Sequence, residues 1–183
     1  MSIRVAVIPT SKYGGTAEIG QAVAETLRAR GIEVDISQPE DLFDLSPYAA
    51  YIIGSGLYMG RWIDRAAEFV DEYHEALSKK PTWLFSSGPL GPARPQSPVN
   101  PDLVDHLMNT SGARDHRLFS GRLEVDKLSR TERFIAKWVG ATDGDYREWA
   151  EIEAWCNSIA DELMSADDRL IDAKLDDGST GRR

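Results

Sequence analysis

Residues 3–16, IRVAVIPTSKYGGT, join a short apolar segment to a turn rich in hydroxyl and glycine residues. The continuous apolar run at 5–8 is typical of a buried parallel strand. The helical spacing of Ile19, Val23 and Leu27 predicts an amphipathic helix from about 16 to 30, which Gly31 ends. Backbone N–H groups and the helix dipole both favour an anion at such a strand-to-helix turn, so we predict a phosphate site there.

The residue types of the turn suit a phosphate monoester, because hydroxyls donate to phosphate oxygens and glycines let the backbone approach closely. The candidate phosphate-binding residues are Thr10, Ser11, Lys12, Tyr13, Gly14, Gly15 and Thr16. The turn has neither the P-loop nor the dinucleotide glycine spacing, which excludes those two nucleotide sites. Two alternatives stay open: the hydroxyls only cap the helix, and Lys12 is solvated rather than bound to phosphate.

Strands and helices alternate along the rest of the chain. Further strands are predicted at 32–37, 50–54, 82–86 and 117–119, and further helices at 63–77, 102–108, 129–138 and 145–163. Five strands alternating with helices predict a doubly wound α/β fold with helices on both faces of a parallel sheet. Such sheets bind ligands at the carboxyl ends of their strands.

The composition excludes several classes of function. The chain has 183 residues and a net charge of −9, which argues against a nucleic-acid partner. The single cysteine, Cys156, allows no internal disulfide, which favours a location in the reducing cytoplasm. Cys156 lies in an apolar stripe of the last predicted helix, so we predict that it is a core residue. No apolar stretch is long enough to span a bilayer. His74, His106 and His116 lack metal-ligand spacing, so no metal site is predicted.

Two further segments follow predicted strands at the same edge of the sheet. Small residues expose backbone hydrogen-bonding groups there, and Tyr58 and Trp62 are aromatic neighbours. The segments comprise Ser55, Gly56, Leu57, Tyr58, Met59 and Gly60, and Ser86, Ser87, Gly88, Pro89, Leu90 and Gly91. A phosphate site beside a slot for a flat ring indicates a mononucleotide such as FMN. Tyr58 either stacks on the flavin or covers an apolar edge, and Trp62 at the start of the next helix is interpreted as a packing residue.

The segments 11–16 and 53–60, with the stretch from Arg133 to Trp149, resemble the flavodoxin family, and within it the menaquinone-dependent protoporphyrinogen oxidase branch. The resemblance covers about 3–163. It implies a five-stranded parallel sheet of order 2-1-3-4-5 in an FMN-binding domain of residues 1–164. The first turn would hold the FMN phosphate and the other two segments would flank the isoalloxazine. Residues 165–183 would form a disordered acidic tail.

The chain also departs from that branch. The segment 122–146 is shorter than the branch's insertion, and the third segment is richer in glycine and proline. The helix predicted near 129–138 either packs on the sheet or docks a hydrophobic substrate, a membrane surface or a second subunit. Its apolar residues are Phe134, Ile135, Trp138 and Val139, and its basic residues are Arg130, Arg133 and Lys137.

Three hypotheses for function follow. The first is an FMN-dependent oxidoreductase that oxidises protoporphyrinogen IX with a quinone as acceptor. The second is a flavodoxin-type electron carrier that docks to basic redox partners, which the net charge of −9 favours. The third is an interaction module that binds no flavin. No catalytic acid or base is assigned. We expect a cytoplasmic protein, with contact at the inner face of the membrane and homodimer formation as open alternatives.

Overall fold

The computed structural model describes residues 3–88, 99–131, 133, 134 and 143–179, and for 168 and 170–179 it describes the backbone alone. The strands are β1 (Arg4–Thr10), β2 (Glu33–Ile36), β3 (Ala50–Tyr58), β4 (Arg61–Trp62), β5 (Thr82–Gly88), β6 (Asp115–Ser120), β7 (Arg122–Leu123) and β8 (Gly144–Asp145). The helices are α1 (Gly15–Ala29), α2 (Asp64–Glu72), α3 (His74–Leu77), α4 (Pro101–Ser111) and α5 (Trp149–Ser179). Residues 130, 131, 133 and 134 are also helical.

The main sheet is parallel, in the order β2-β1-β3-β5-β6. This confirms the predicted doubly wound α/β fold, its flavodoxin-like strand order and its helices on both faces. The sheet has a sixth strand that the sequence did not predict, because β4 pairs antiparallel with the end of β3. Strands β7 and β8 form a separate antiparallel pair.

Two apolar cores lie on opposite faces of the sheet, because successive side chains of each strand point to opposite faces. On one face Val5, Val7 and Phe85 pack with α1 and α5. On the other face Ile8 and Leu84 pack with the helices α2 to α4. Every residue of β1 after Arg4, and all of β5, is buried, as expected of central parallel strands.

The last helix differs from the prediction at both ends. It begins at Trp149, because Asp145 belongs to β8, and Trp149 is 44% exposed rather than part of the inner stripe. It continues to Ser179, past the predicted end at residue 163, so it includes much of the segment expected to be a disordered tail. Alanine, leucine, lysine and arginine in that segment favour helix, and no proline interrupts it. The division into a domain of 1–164 and a tail stays a prediction.

Other predicted elements also differ in extent. The helix expected at 63–77 is two helices, α2 and α3, which meet at Tyr73. The strand expected at 117–119 is the longer β6. Cys156 of α5 is fully buried in the core on that helix's side of the sheet, which confirms it as a core residue. Within the described ranges, no helix combines the length and the apolar character needed to cross a bilayer.

Candidate functional site

A row of buried hydroxyls crosses the carboxyl edge of the sheet. The strand register pairs Thr10 with Ser55 and Ser55 with Ser86, and all three residues are fully buried. The Ser55 hydroxyl donates to the Gly56 carbonyl at 3.0 Å and accepts from the Ile63 N–H at 3.0 Å. Thr10 Oγ1 has no hydrogen-bond partner within the described parts of the chain. A buried hydroxyl without a partner costs about 1–3 kcal/mol, which indicates a site completed by a ligand.

The turn after β1 has the backbone geometry of an anion site. Gly14 adopts a left-handed conformation, with φ of 90°, and a side chain there would meet open space. The Gly14 N–H donates to Ser11 Oγ at 2.9 Å, which leaves the Ser11 proton to donate elsewhere. The first intrahelical bond of α1 runs from the Glu18 N–H to the Gly14 carbonyl. The N–H groups of residues 15–17 therefore precede the helical ladder and face the turn, which fits a phosphate group.

The second predicted segment is not a loop along its whole length. Strand β3 continues to Tyr58, whereas the sequence predicted that it ends at Gly54. The connection to β4 is a two-residue turn, Met59-Gly60, with φ values of 52° and 76°. Positive φ at both central residues is typical of a type I′ hairpin, and its backbone twist matches that of the paired strands. Met59 is 88% exposed at the apex of this hairpin.

The first and second segments are in contact with each other. The rings of Tyr13 and Tyr58 have centroids 6.2 Å apart. Lys12 Nζ lies 5.2 Å from the Tyr13 centroid and 5.4 Å from the Tyr58 centroid, within the range of a cation–π interaction. A Cβ at Gly56 would stand 3.1 Å from Thr16 Oγ1, so a side chain at this position would crowd the contact between the two segments. The structure thus brings the predicted phosphate turn and the predicted ring segment together.

The third predicted segment begins inside a strand. Ser86, Ser87 and Gly88 are the buried end of β5, whereas Pro89, Leu90 and Gly91 lie outside the described residues. Trp62 Nε1 donates to Ser86 Oγ at 2.7 Å, which ties the β3–β4 hairpin to β5. Trp62 is 3% exposed, so its interpretation as a packing residue is confirmed, although it lies in β4 and not at the start of a helix.

His116 also contacts this hydroxyl, with Nε2 2.8 Å from Ser86 Oγ. Burial lowers the pKa of His116 below its ordinary value, partly offset by the nearby carboxylate of Asp115. In the sequence this histidine was notable only as a candidate metal ligand. The sequence did not predict the contact between His116 and Ser86, because it depends on the pairing of β5 with β6, which local sequence does not specify.

Sequence reasoning also missed two arginines beside the phosphate turn. Arg147 donates to Glu18 Oε2 at 2.7 Å, and Arg122 Nη2 lies 2.9 Å from Glu18 Oε1. The Arg147 guanidinium hydrogen-bonds Asp145 and holds the pKa of that carboxyl below its usual value. The local sequence contains one indication of these ion pairs, the acidic and basic residues close together at 143–148, DGDYRE. The same pattern is equally typical of a solvated surface.

The segment 122–146 is described only in part. Phe134 is 72% exposed, and Arg133 donates to the Leu128 and Asp126 carbonyls. The residues of the predicted apolar-basic helix that lie outside the described ranges are Ile135, Lys137, Trp138 and Val139. Elsewhere, His74 and His106 both contact Asp71. In the part of the chain that the structure describes, no three His, Cys, Asp or Glu side chains form a metal-binding group.

Comparison with known proteins gives one family and several similar folds. The sequence model described as Flavodoxin domain matches residues 6–148. No curated protein matches the chain at a significant level.

Three solved structures illustrate the likeness of fold. A flavodoxin from the domain Archaea has a TM-score of 0.59 at 15% identity, over 88% of this chain and 99% of that one. A Streptococcus pneumoniae TIGR4 flavodoxin has a TM-score of 0.55 at 19% identity, over 89% and 99%. Rubredoxin oxygen:oxidoreductase from Desulfovibrio gigas has a TM-score of 0.59 at 13% identity, over 88% of this chain. This chain spans only 36% of that last protein's length.

Proposed function

We propose that this chain, which belongs to the flavodoxin domain family and therefore binds FMN, is a redox protein that exchanges electrons with a separate partner. The observation that carries the proposal is the buried, unpartnered Thr10 hydroxyl beside the glycine turn that opens α1. Both features lie within residues 6–148, which the family model matches, and in the turn that the resemblance assigns to the FMN phosphate. A phosphate oxygen would accept from that hydroxyl and so remove its desolvation cost.

The chain's own residues would hold the FMN at three places. We assign the phosphate to the Thr10, Ser11 and Thr16 hydroxyls, to the backbone of Gly14 and Gly15, and to the charge of Lys12. We assign one side of the ring to the β3–β4 hairpin with Tyr58, and the other side to the end of β5 and the residues after it. The bound isoalloxazine would supply the electron-transfer chemistry.

The protein framework would keep these segments in fixed positions. The Trp62–Ser86 hydrogen bond joins the hairpin to β5, and the Asn100 N–H donates to the Gly60 carbonyl at 3.2 Å. The Gly121 N–H donates to the Gly88 carbonyl at 2.5 Å, which joins the end of β5 to the turn after β6. The partners in these bonds lie in different parts of the chain, so the hairpin and the strand end are held in place before a ligand binds. This lowers the entropic cost of ordering them on binding.

The net charge of −9 supports the carrier assignment over an enzyme with its own substrate. An acidic surface attracts a basic partner and accelerates its encounter, an effect that salt screens. The exposed Met59 at the hairpin apex offers an adaptable apolar contact next to the ring site. We therefore expect a basic reductase or acceptor protein, and electron-transfer rates that fall as ionic strength rises.

A second candidate is the oxidation of protoporphyrinogen IX with a quinone as acceptor. The exposed Phe134 in the same helical stretch as Arg133 favours it, because an exposed aromatic ring and a basic residue in one short segment suit a hydrophobic substrate that carries carboxylates. The same pair suits an anionic membrane surface or a second subunit. This candidate shares the FMN site and differs only in what the 122–146 segment contacts.

The experiment that tests the proposal begins with flavin titration of the purified protein, followed by visible absorption and flavin fluorescence. Saturable FMN binding at micromolar concentration, lost when Ser11 and Thr16 are both replaced by Asp, is the expected result. Absence of FMN binding would refute both redox candidates and leave the interaction module. Turnover is then measured with protoporphyrinogen IX and a quinone alone, and again with a reductase and an acceptor protein. Turnover with the small molecules alone would favour the oxidase over the carrier.

A further inference from the structure

A buried arginine lies next to the start of α1. The Arg147 side chain is only 3% exposed. It binds Asp145 through two nitrogens, Nε to Oδ1 at 2.8 Å and Nη2 to Oδ2 at 2.5 Å, and its third nitrogen reaches Glu18 Oε2 at 2.7 Å. The Arg147 guanidinium also lies 4.5 Å from the centroid of Trp149. All three nitrogens of this guanidinium are thus engaged, so its position is fixed.

The same arginine contacts the backbone of the phosphate turn. Arg147 Nη1 lies 3.4 Å from the carbonyl oxygen of Gly15, the first residue of α1. Strand β7 packs against the same residue, because a Cβ at Gly15 would meet the Arg122 backbone nitrogen at 3.8 Å. The β7–β8 pair therefore braces the residue whose N–H is the first in the helix.

Glu18 is the acidic residue in the first turn of α1. A carboxylate there is favourable for the helix dipole, but it also repels an anion held at the same helix end. Arg147 and Arg122 both pair with Glu18, which compensates its charge. Without Arg147, Glu18 would keep only the more exposed Arg122, and Asp145 would lose its bidentate partner.

We propose that Arg147 is a positioning residue of the phosphate site: it compensates Glu18, holds Gly15 in place, and so makes the site prefer flavins that carry a phosphate. This inference rests on the proposed FMN function. Arg147 acts through Glu18 and the Gly15 backbone and need not touch the phosphate. The effect of removing Arg147 on phosphate binding should therefore depend on whether residue 18 carries a charge.

The test compares dissociation constants for FMN and riboflavin, which differ by the phosphate alone, by quenching of flavin fluorescence. We expect Arg147→Met to weaken FMN binding on the order of tenfold or more, the scale of a lost charge-assisted interaction, and riboflavin binding much less. In the double variant Arg147→Met/Glu18→Gln, most of the lost FMN affinity should return, because residue 18 in the first turn of α1 no longer carries a charge that repels the phosphate. Arg147→Lys should give an intermediate loss.

The matched control is Arg30→Met, at the other end of α1. Arg30 bonds Asn157 at 3.0 Å and Asp161 at 2.6 Å, so its loss should lower the thermal midpoint but leave both flavin affinities unchanged. Equal weakening of FMN and riboflavin by Arg147→Met, or no recovery in the double variant, would show a purely structural role and overturn the inference. If Arg147→Met does not fold, Arg147→Lys makes the same comparison of the two flavins, and Arg147→Lys/Glu18→Gln tests the recovery.

Failure of this inference is distinguishable from failure of the proposed function. Wild-type protein that binds neither flavin would refute the FMN function itself. Wild-type protein that binds FMN, with no difference between the two flavins in the Arg147 variants, would refute only the role of Arg147.

Discussion

Replacement of Thr10 by valine should change apo stability and FMN affinity in opposite directions. Thr10 Oγ1 is fully buried and has no partner in the described structure. Valine has nearly the same shape but no hydroxyl, so the substitution removes a desolvation penalty of about 1–3 kcal/mol without leaving a cavity. For a chain of this size each kcal/mol corresponds to roughly 2–4 °C in thermal midpoint, so the apo protein should melt several degrees higher.

FMN binding by the Thr10→Val variant should weaken in return. A hydrogen bond to a charged group contributes about 1.5–3 kcal/mol, which corresponds to a loss on the order of 10- to 100-fold in affinity. Thermal denaturation monitored by circular dichroism measures the first effect, and flavin fluorescence titration measures the second. The Thr10→Ser variant keeps the hydroxyl and should bind FMN close to wild type.

Thr82→Val is the matched control, because Thr82 is also fully buried in a central strand. Its hydroxyl already bonds the Leu77 carbonyl and the Lys80 carbonyl, both at 3.1 Å. Valine there gains the same strand propensity but loses the hydroxyl's hydrogen bonds to these carbonyls, so stability should fall by about 1 kcal/mol. A Thr10→Val variant that melts lower, as Thr82→Val should, would refute the account of Thr10 as an orphaned hydroxyl. Unchanged FMN affinity would refute its assignment to the phosphate.

Three further results are expected. Gly54→Ala should lower the free energy of unfolding, measured in urea, by about 3 kcal/mol or more, because the new Cβ would stand 2.0 Å from Phe85 Cζ. Gly31→Ala should lower it by about 1 kcal/mol, because Gly31 has a φ of 82° but open space around it. Burial lowers the pKa of His116 in the folded protein, so at low pH the unfolded chain binds more protons than the folded one. Stability should therefore fall as the pH drops below about 6.5, and His116→Gln should make this fall less steep. Burial raises the pKa of Cys156 to about 12, so thiol reagents should label this residue in urea but not in the native protein. Rapid labelling of the native protein would contradict its position in the core.

Much of the fold was predictable from local sequence, because apolar runs and helical spacing are properties of neighbouring residues. The run at 5–8 and the spacing of Ile19, Val23 and Leu27 predicted β1 and α1, and the structure contains both. Predicted boundaries were less accurate where tertiary pairing extends an element. Strand β3 continues to Tyr58 because β4 pairs with it, and no property of the segment alone specifies that partner.

The candidate site also has one part that local sequence predicts and another that depends on tertiary contacts. The candidate phosphate turn could be identified in the sequence, because its glycines, its hydroxyls and the helix that follows are contiguous in the chain. The contacts that complete the site were not, because they join residues separated by many positions: Trp62 with Ser86, Ser86 with His116, and Glu18 with Arg147. Each contact depends on strand order and on how helices pack on the sheet. Composition and local periodicity thus specify the elements and one end of the site, whereas long-range packing specifies which charges and hydroxyls meet there.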